Sequence, residues 1–292
     1  MARIGYGDAV AAAFQASREL PADALSEWRA AIARHLAPRP GMRVLDLGAG
    51  TGTWATALAS WYGIGVVAVE PSAAMRARSR WPGMLAGHAT ELPLAPATMD
   101  GAWLSTVIHH LPDLPAAARE LRRVLRPGAP VLIRSAFPGR HHGVGLFRYW
   151  PEAIAALDTF PSVATVRTAF AAAGFSYVTL EPVRQVTAPS LAATAQREAH
   201  TPLMLISDSA YEAGIARLRA AAAQEGPVID TLDLLVLRAD RTGQVGVLRR
   251  GALGGARGTA GSTPGGVGHP AGPGGGPAQR QARTVSAGNP GR

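Results

Sequence analysis

Residues 44–52, VLDLGAGTG, constrain the fold of this chain more than any other stretch. The stretch begins with the short apolar run of a strand that is buried in a parallel sheet, and three glycines follow at alternate positions. Glycine leaves the backbone bare, so a ligand can approach the turn closely. The next apolar residues repeat at helical spacing and predict a helix that packs on the sheet: Trp54, Ala57, Leu58 and Trp61.

A second apolar run, Ile64–Val69, ends in Glu70 and Pro71. Glu70 follows Gly52 by 18 positions, and we interpret the run as a second parallel strand with an acid at its carboxyl end. Ligands of open parallel sheets bind beyond the carboxyl ends of the strands, so this carboxylate is expected in the same crevice as the glycine turn. It is suited to accept hydrogen bonds from both hydroxyls of a ribose. The alternative is a solvated carboxylate at a strand end.

The rest of the chain continues the alternation of strands and helices, which predicts an α/β fold. Five further strands are predicted, at residues 84–86, 100–105, 131–133, 175–186 and 228–237. Three further helices are predicted, at residues 114–125, 162–173 and 211–222. The apolar segment Leu203–Ile206 fits a short helix or a short strand equally well.

We divide the chain into three parts. Residues 1–40 form a predicted N-terminal helical cap, and residues 41–240 form the main domain, with its core motif region at 44–135. Residues 241–292 contain 16 Gly and five Pro in 52 positions, and this composition is typical of disorder.

Composition and charge exclude several classes of protein. The net charge of +9 includes seven Arg after residue 240 with no Asp or Glu, which leaves about +2 on the rest and argues against a nucleic-acid partner. The chain has no Cys, and the adjacent His141 and His142 rarely point the same way, so we assign no metal. No apolar stretch approaches the roughly 20 residues of a membrane span, and we expect a cytoplasmic protein without a membrane partner.

These motifs resemble the class I S-adenosylmethionine-dependent methyltransferases, in particular their small-molecule, methyltransferase type 11-like branch. VLDLGAGTG is similar to the first motif of that family, and Glu70 to its ribose-binding acid. Three later segments resemble the adenine-side loop, the fourth motif and the turn before the fifth strand: Gly87–Pro93, Met99–His110 and Leu125–Ala129.

The resemblance implies a Rossmann-like fold with a seven-stranded, mostly parallel sheet of order 3-2-1-4-5-7-6. The last strand would be antiparallel and helices would cover both faces. The cofactor S-adenosyl-L-methionine would lie across the carboxyl ends of the first, second and fourth strands, and the acceptor would be a small molecule.

The resemblance also implies a cofactor site, residue by residue. Asp46 and the turn would hold the methionine moiety, Glu70 the ribose, and the loop after the third strand the adenine. Where the family commonly has an acid, this chain has His88, whose neutral ring also has a nitrogen that accepts a hydrogen bond. The full predicted set is Asp46, Gly48, Ala49, Gly50, Thr51, Gly52, Glu70, Pro71, His88, Ala89, Thr90, Leu104 and Ser105.

A nicotinamide-dependent dehydrogenase is the less favoured alternative. Such proteins carry GxGxxG, whereas this turn is GxGxG and has Asp46 two residues before the first glycine. A carboxylate there would repel a pyrophosphate but suits a ligand with an ammonium or sulfonium group.

Methyl transfer requires mainly alignment of the acceptor with the sulfonium methyl. If a general base takes part, His109 and His110 are the candidates, and the alternative is that one of them packs or caps and the other is solvated. Phe147, Tyr149 and Trp150 fit an apolar acceptor pocket and core packing equally well. A protein that binds the cofactor without transferring a methyl group, and that acts through a partner, remains a second possibility.

Overall fold

The computed structural model describes residues 22–187, 196–222 and 228–241. The predicted tail beyond Arg241 and the first 21 residues of the predicted cap lie outside the described residues. None of the helices in the described ranges combines the length and the apolar character that crossing a membrane requires.

Seven strands form one sheet of order β3-β2-β1-β4-β5-β7-β6. Strand β7 pairs antiparallel with both β5 and β6. The β1–β2, β1–β4 and β4–β5 pairs are parallel. This confirms the predicted order and the antiparallel last strand. The strands are β1 Arg43–Leu47, β2 Gly65–Glu70, β3 Leu85–Ala86, β4 Gly101–Ser105, β5 Pro130–Ser135, β6 Phe175–Thr187 and β7 Val228–Ala239.

Helices cover both faces of the sheet, because successive strand residues point to opposite sides. Leu45 contributes to an apolar cluster with the helices α4 and α7, whereas Val44 contributes to a cluster with α1 and α2. The helices are α1 Ser26–Leu36, α2 Thr53–Tyr62, α3 Ala73–Ala77, α4 Leu114–Val124, α5 Gly145–Tyr149, α6 Ile154–Leu157, α7 Val163–Ala172, α8 Thr201–Met204 and α9 Asp208–Ala222. Short 3₁₀ turns occupy Ala22–Leu25, Ile108–His110, Pro151–Ala153 and Arg197–Ala199.

The N-terminal helix α1 packs its apolar stripe on the sheet. Trp28 and Ile32 are buried in the cluster that also holds Trp103 of β4 and Leu132 of β5. The helix ends at Ala37, which adopts a left-handed conformation just before Pro38. Helix α1, which belongs to the predicted cap, therefore packs on one face of the sheet, over β4 and β5.

Two features differ from the expectations, and one open alternative is decided. In α2 the fully buried residues are Ala55 and Leu58, while Trp54 and Trp61 are only half-buried because the helix is rotated relative to the predicted stripe. Helices α5 and α6 occupy residues for which no helix was predicted, since each has five residues or fewer and shows too little periodicity. The ambiguous segment 203–206 begins within helix α8.

Candidate functional site

The glycine turn after β1 is drawn towards the end of β2 by two backbone hydrogen bonds. The amides of Gly48 and Ala49 donate to the carbonyl of Val69 at 2.8 and 3.1 Å. Gly48, Gly50 and Gly52 all have positive φ values, which glycine adopts with the least strain. The backbone path of the turn therefore depends on the glycines that the sequence motif supplies.

Side chains from two other segments close tightly over this turn. A Cβ atom added at Gly48 would lie 2.1 Å from Val107 Cγ2, and one added at Gly52 would lie 2.6 Å from Trp81 Cβ. Sequence reasoning missed Val107 and Trp81, because an apolar residue in a loop gives no indication of which backbone it covers. Both positions require glycine for space as well as for conformation.

Glu70 lies at the carboxyl end of β2 and contacts the turn directly. Its Oε2 accepts a hydrogen bond from the Gly50 amide at 2.9 Å, and its Oε1 accepts one from the Ser72 amide at 2.8 Å. The side chain is buried, and this burial raises the pKa of Glu70 although both amides and the nearby Arg76 favour its charged form. Glu70 is thus part of the buried crevice and not a solvated carboxylate at a strand end.

Asp46 is the most deeply buried acid of the site, with 1% of its surface exposed. Its Oδ2 atom has no hydrogen-bond partner among the described residues. Burial, and then the charge of Glu70, raise the pKa of Asp46 to about 7, although a hydrogen bond from the Ala55 backbone favours the charged form. A buried acid oxygen in this position is suited to a ligand that carries positive charge.

The predicted adenine-side loop follows β3 and lies next to Glu70, because Ala86 pairs with Glu70 in the sheet. The loop turns sharply, since the Glu91 amide donates to the His88 carbonyl at 3.0 Å. Ala89 is half-buried, whereas His88, Thr90 and Pro71 are exposed. The side chains of His88, Thr90 and Pro71 are thus accessible.

At the end of β4 the two predicted residues have different surroundings. Leu104 is completely buried in the apolar core, so only its backbone is available to a ligand. Ser105 is half-buried, and its hydroxyl accepts a hydrogen bond from Arg134 Nη1 at 3.3 Å. The next residue, Thr106, has a φ of 54°, a conformation that is uncommon for a residue other than glycine.

Arg134 near the end of β5 is a buried cation that sequence reasoning missed. Its Nη2 donates to Gln185 Oε1 at 2.6 Å. Its guanidinium carbon lies 5.0 Å from the centre of the Trp28 ring and 5.5 Å from that of Trp54. Arg134 therefore joins the N-terminal helix, the helix after the glycine turn and the edge strand β6 beside the end of β4.

His109 and His110, the predicted base candidates, lie in the 3₁₀ turn after β4 and face the later helices. The Nε2 atoms of both rings lie 3.3 Å from the Thr201 hydroxyl, and the His109 ring stacks on Phe160 with centroids 4.2 Å apart. His109 is buried, whereas His110 is half-buried and more accessible.

Phe147, Tyr149 and Trp150 are buried in an apolar cluster with Leu203 and Leu218, so packing accounts for all three aromatic side chains. The later helices thus form a small core of their own beside the sheet. In the described ranges, no three His, Asp or Glu residues are grouped as metal binding would require.

Comparison with known families agrees with this geometry. Residues 45–133, from β1 to β5, match the family described as a methyltransferase domain. Residues 45–133 thus carry a methyltransferase domain. Within this domain the match begins at the strand before the glycine turn and ends in the fifth strand, so it includes the buried carboxylates and the predicted adenine-side loop.

Two curated relatives are similar over about a third of this chain. Demethylmenaquinone methyltransferase of Corynebacterium kroppenstedtii is 38% identical over 108 residues, which cover 36% of this chain and 47% of the relative. The protein of the same name from Beutenbergia cavernae is 39% identical over 110 residues, which cover 36% of this chain and 45% of the relative. The chain thus spans about half the length of these relatives.

Among solved structures, the methyltransferase domain resembles a proposed methyltransferase of an antibiotic biosynthesis pathway in Anabaena variabilis. The TM-score is 0.58 at 20% sequence identity, and the similarity covers 73% of this chain and 96% of that chain. At this identity the likeness concerns the fold.

Proposed function

We propose that this protein is an S-adenosylmethionine-dependent methyltransferase that methylates a small molecule. The observation that carries the proposal is the convergence of Asp46 and Glu70 on the glycine turn. Asp46 is the penultimate residue of β1, and Glu70 is the last residue of β2. Glu70 also accepts a hydrogen bond from the Gly50 amide. A nucleoside with a cationic amino-acid arm fits two buried acids beside a bare backbone turn.

The donor set of the crevice suits each part of this cofactor. Each Glu70 oxygen accepts one backbone hydrogen bond and retains a lone pair for a ribose hydroxyl. The Asp46 oxygen without a hydrogen-bond partner in the described ranges is available to an ammonium or sulfonium group. His88, Ala89 and Thr90 would flank the adenine, and Ser105 would lie near the methionine end.

When bound, the cofactor supplies an electrophilic methyl group. The residues of this chain have to hold the acceptor in line with that group and exclude water from it, and orientation of this kind can contribute roughly 7 to 11 kcal/mol to the rate. We assign this task to helix α1 and to the later helices α5, α6, α8 and α9, which share one apolar cluster. His109 or His110 would accept a proton from an acceptor whose nucleophilic atom carries one.

We infer a small-molecule acceptor from two arguments. The curated relatives named above are methyltransferases named for demethylmenaquinone, which is a small molecule. The excess of arginine lies in the tail after residue 240, which contains no acid. The rest of the chain has a net charge of only about +2, which does not suit binding of a nucleic-acid acceptor. The elements that we assign to the acceptor lie outside residues 45–133, so the family match does not identify the acceptor.

The test is calorimetric titration of the full chain with S-adenosylmethionine and S-adenosylhomocysteine. Glu70→Gln should weaken both affinities about 10-fold to 100-fold, because hydrogen bonds to charged groups contribute roughly 1.5 to 3 kcal/mol. The matched control is Glu212→Gln, which changes an exposed carboxylate on α9 and should leave binding unchanged.

Equal affinities of the Glu70 variant and the parent would contradict the ribose assignment, and the absence of any binding would remove the proposal. Binding of NADH, detected by fluorescence titration, would favour the dehydrogenase alternative. Tight cofactor binding without product from a broad panel of acceptors would favour a protein that acts through a partner.

A further inference from the structure

A second cleft lies at the outer edge of the sheet, away from the glycine turn. It has a volume of about 500 Å³. Residues from the two strands at that edge and from two loops form its walls. The lining residues are Arg43, Val66, Val67, Trp81, Pro82, Gly83, Leu85, Pro93, Leu94, Ala95 and Thr98.

The cleft exists because β3 is too short to cover its neighbour. β3 pairs with Val69 and Glu70 alone, so the first half of β2 has no strand on its outer side in the described part of the chain. Residues 81–83 and residues 93–95 stand on either side of this gap. Val66 packs with the apolar cluster of one sheet face and Val67 with that of the other, so the two clusters meet at the floor of the cleft.

The floor of this cleft lies at the opposite end of the strands from the proposed cofactor site. Arg43 begins β1, and Val66 is the second residue of β2, so the floor belongs to the amino ends of the strands. The glycine turn and Glu70 lie at the carboxyl ends. Two lining residues border both sites, namely Trp81, which lies against Gly52, and Pro93, which ends the predicted adenine-side loop.

The walls combine apolar side chains with polar groups, among them Thr98 and one cation, Arg43. Val66, Val67, Trp81 and Leu85 present half-buried hydrocarbon and aromatic surface. The exposed Arg43 guanidinium makes no hydrogen bond or ion pair within the described ranges. The nearest acid in contact with Arg43 is Asp100, which accepts from the Arg43 backbone amide and is already paired with Arg126.

We propose that this cleft binds a small amphipathic anion, namely a molecule with an apolar body and one carboxylate. The volume lies within the range of about 300 to 1,000 Å³ that is usual for small-molecule sites. The apolar body lies between Trp81 and Leu94, and the carboxylate pairs with the Arg43 guanidinium, whose planar donors match its two oxygens.

Decanoate is the probe for this site, and decanol is its uncharged counterpart. Calorimetric titration of the full chain below the micelle concentration should show saturable binding of one decanoate, with decanol at least about tenfold weaker. Arg43→Gln should weaken decanoate about tenfold and leave decanol unchanged. Ala95→Trp, which places a large ring in the cleft, should abolish binding of both probes. The matched control Arg119→Gln, an exposed arginine of α4, should bind both probes as the parent does.

Absence of saturable decanoate binding would overturn the proposal, as would equal affinity for decanol. Parent-like binding by both Arg43→Gln and Ala95→Trp would place the ligand elsewhere and would also overturn it. Circular dichroism and melting curves of each variant verify its folding before titration, and Arg43→Gln keeps the proposal testable if Ala95→Trp does not fold. The titration contains no methyl donor, so its outcome is independent of the proposed methyl transfer.

Discussion

At the scale of single residues, the site combines two acids that destabilise each other. Asp46 sits in a central strand with 1% of its surface exposed, and the charge of Glu70 adds to the cost of ionising it. An apolar residue at this position would suit the core better. The positively charged cofactor that we propose would offset both the burial and the repulsion.

The raised pKa of Asp46 predicts a specific dependence of stability on pH. The unfolded carboxyl ionises near its usual value of 3.8, whereas the folded one ionises at about 7, so the folded state binds more protons between these values. The free energy of unfolding should therefore fall as the pH rises from about 4 to about 7 and then level off. Each pKa unit corresponds to about 1.4 kcal/mol, so the decrease amounts to a few kcal/mol.

Urea unfolding of the parent and of Asp46→Asn at several pH values measures this effect. The variant should lack most of the decrease between pH 4 and pH 7, because its amide does not titrate. Asp158→Asn, which changes an exposed acid after α6, serves as control and should keep the parent's profile. Parallel profiles for the parent and Asp46→Asn would show that Asp46 ionises normally.

At the scale of elements, the Trp150 side chain packs the segment after helix α5 against helix α9. Trp150 is completely buried, stacks on Tyr211, and donates from Nε1 to the Tyr211 carbonyl at 3.0 Å. The ring lies against Gly214 in helix α9, where an added Cβ atom would be 2.0 Å from Trp150 Nε1. Glycine inside a long helix thus has a packing reason.

This contact reverses the usual effect of a Gly to Ala change. Alanine in a helix interior normally stabilises by about 1 kcal/mol relative to glycine, but Gly214→Ala forces Trp150 aside and should lower the free energy of unfolding by about 1 to 3 kcal/mol. The exposed Ala216→Gly in the same helix should follow propensity and cost up to about 1 kcal/mol. Denaturant unfolding measures both variants.

The smaller ring in Trp150→Phe should relieve the clash, so the double variant should lose less stability than the sum of the two single variants. A stabilising effect of Gly214→Ala, or strictly additive variants, would contradict the proposed contact between α9 and Trp150.

At the scale of the whole molecule, charge is unevenly distributed along the chain. The tail after Arg241 contains six Arg and no acid, while the part from residue 1 to residue 240 has a net charge of about +2. The tail lies outside the described residues, and its prediction as disordered rests on composition alone.

Removal of residues 242–292 should therefore leave the unfolding transition and the cofactor affinity unchanged. Thermal melting followed by circular dichroism and calorimetry on the truncated and full chains would compare the two. A lost cooperative transition, or an affinity that drops by tenfold or more, would assign a role to the tail. The same comparison at low salt would reveal a contribution from the charge of the tail, because salt screens such interactions.

The sequence by itself determined the order of the seven strands along the chain and the two segments that carry Asp46 and Glu70. Apolar runs and glycine punctuation predicted β1, β2 and the turn between them and α2, because buried strands and tight turns impose local patterns on residues close in sequence. The same patterns predicted the position of Glu70, and the family resemblance supplied the strand order that the sheet shows.

Only the tertiary structure decided which distant side chains meet. Val107 covers Gly48, Trp81 covers Gly52, and Arg134 of β5 lies against Trp28 of α1. None of these pairs is encoded by local spacing. The short helices after β5 and the outer cleft also depend on chain segments that pack against each other. Periodicity specifies which face of an element is apolar, but packing between elements selects the partner, and that selection is a property of the whole fold.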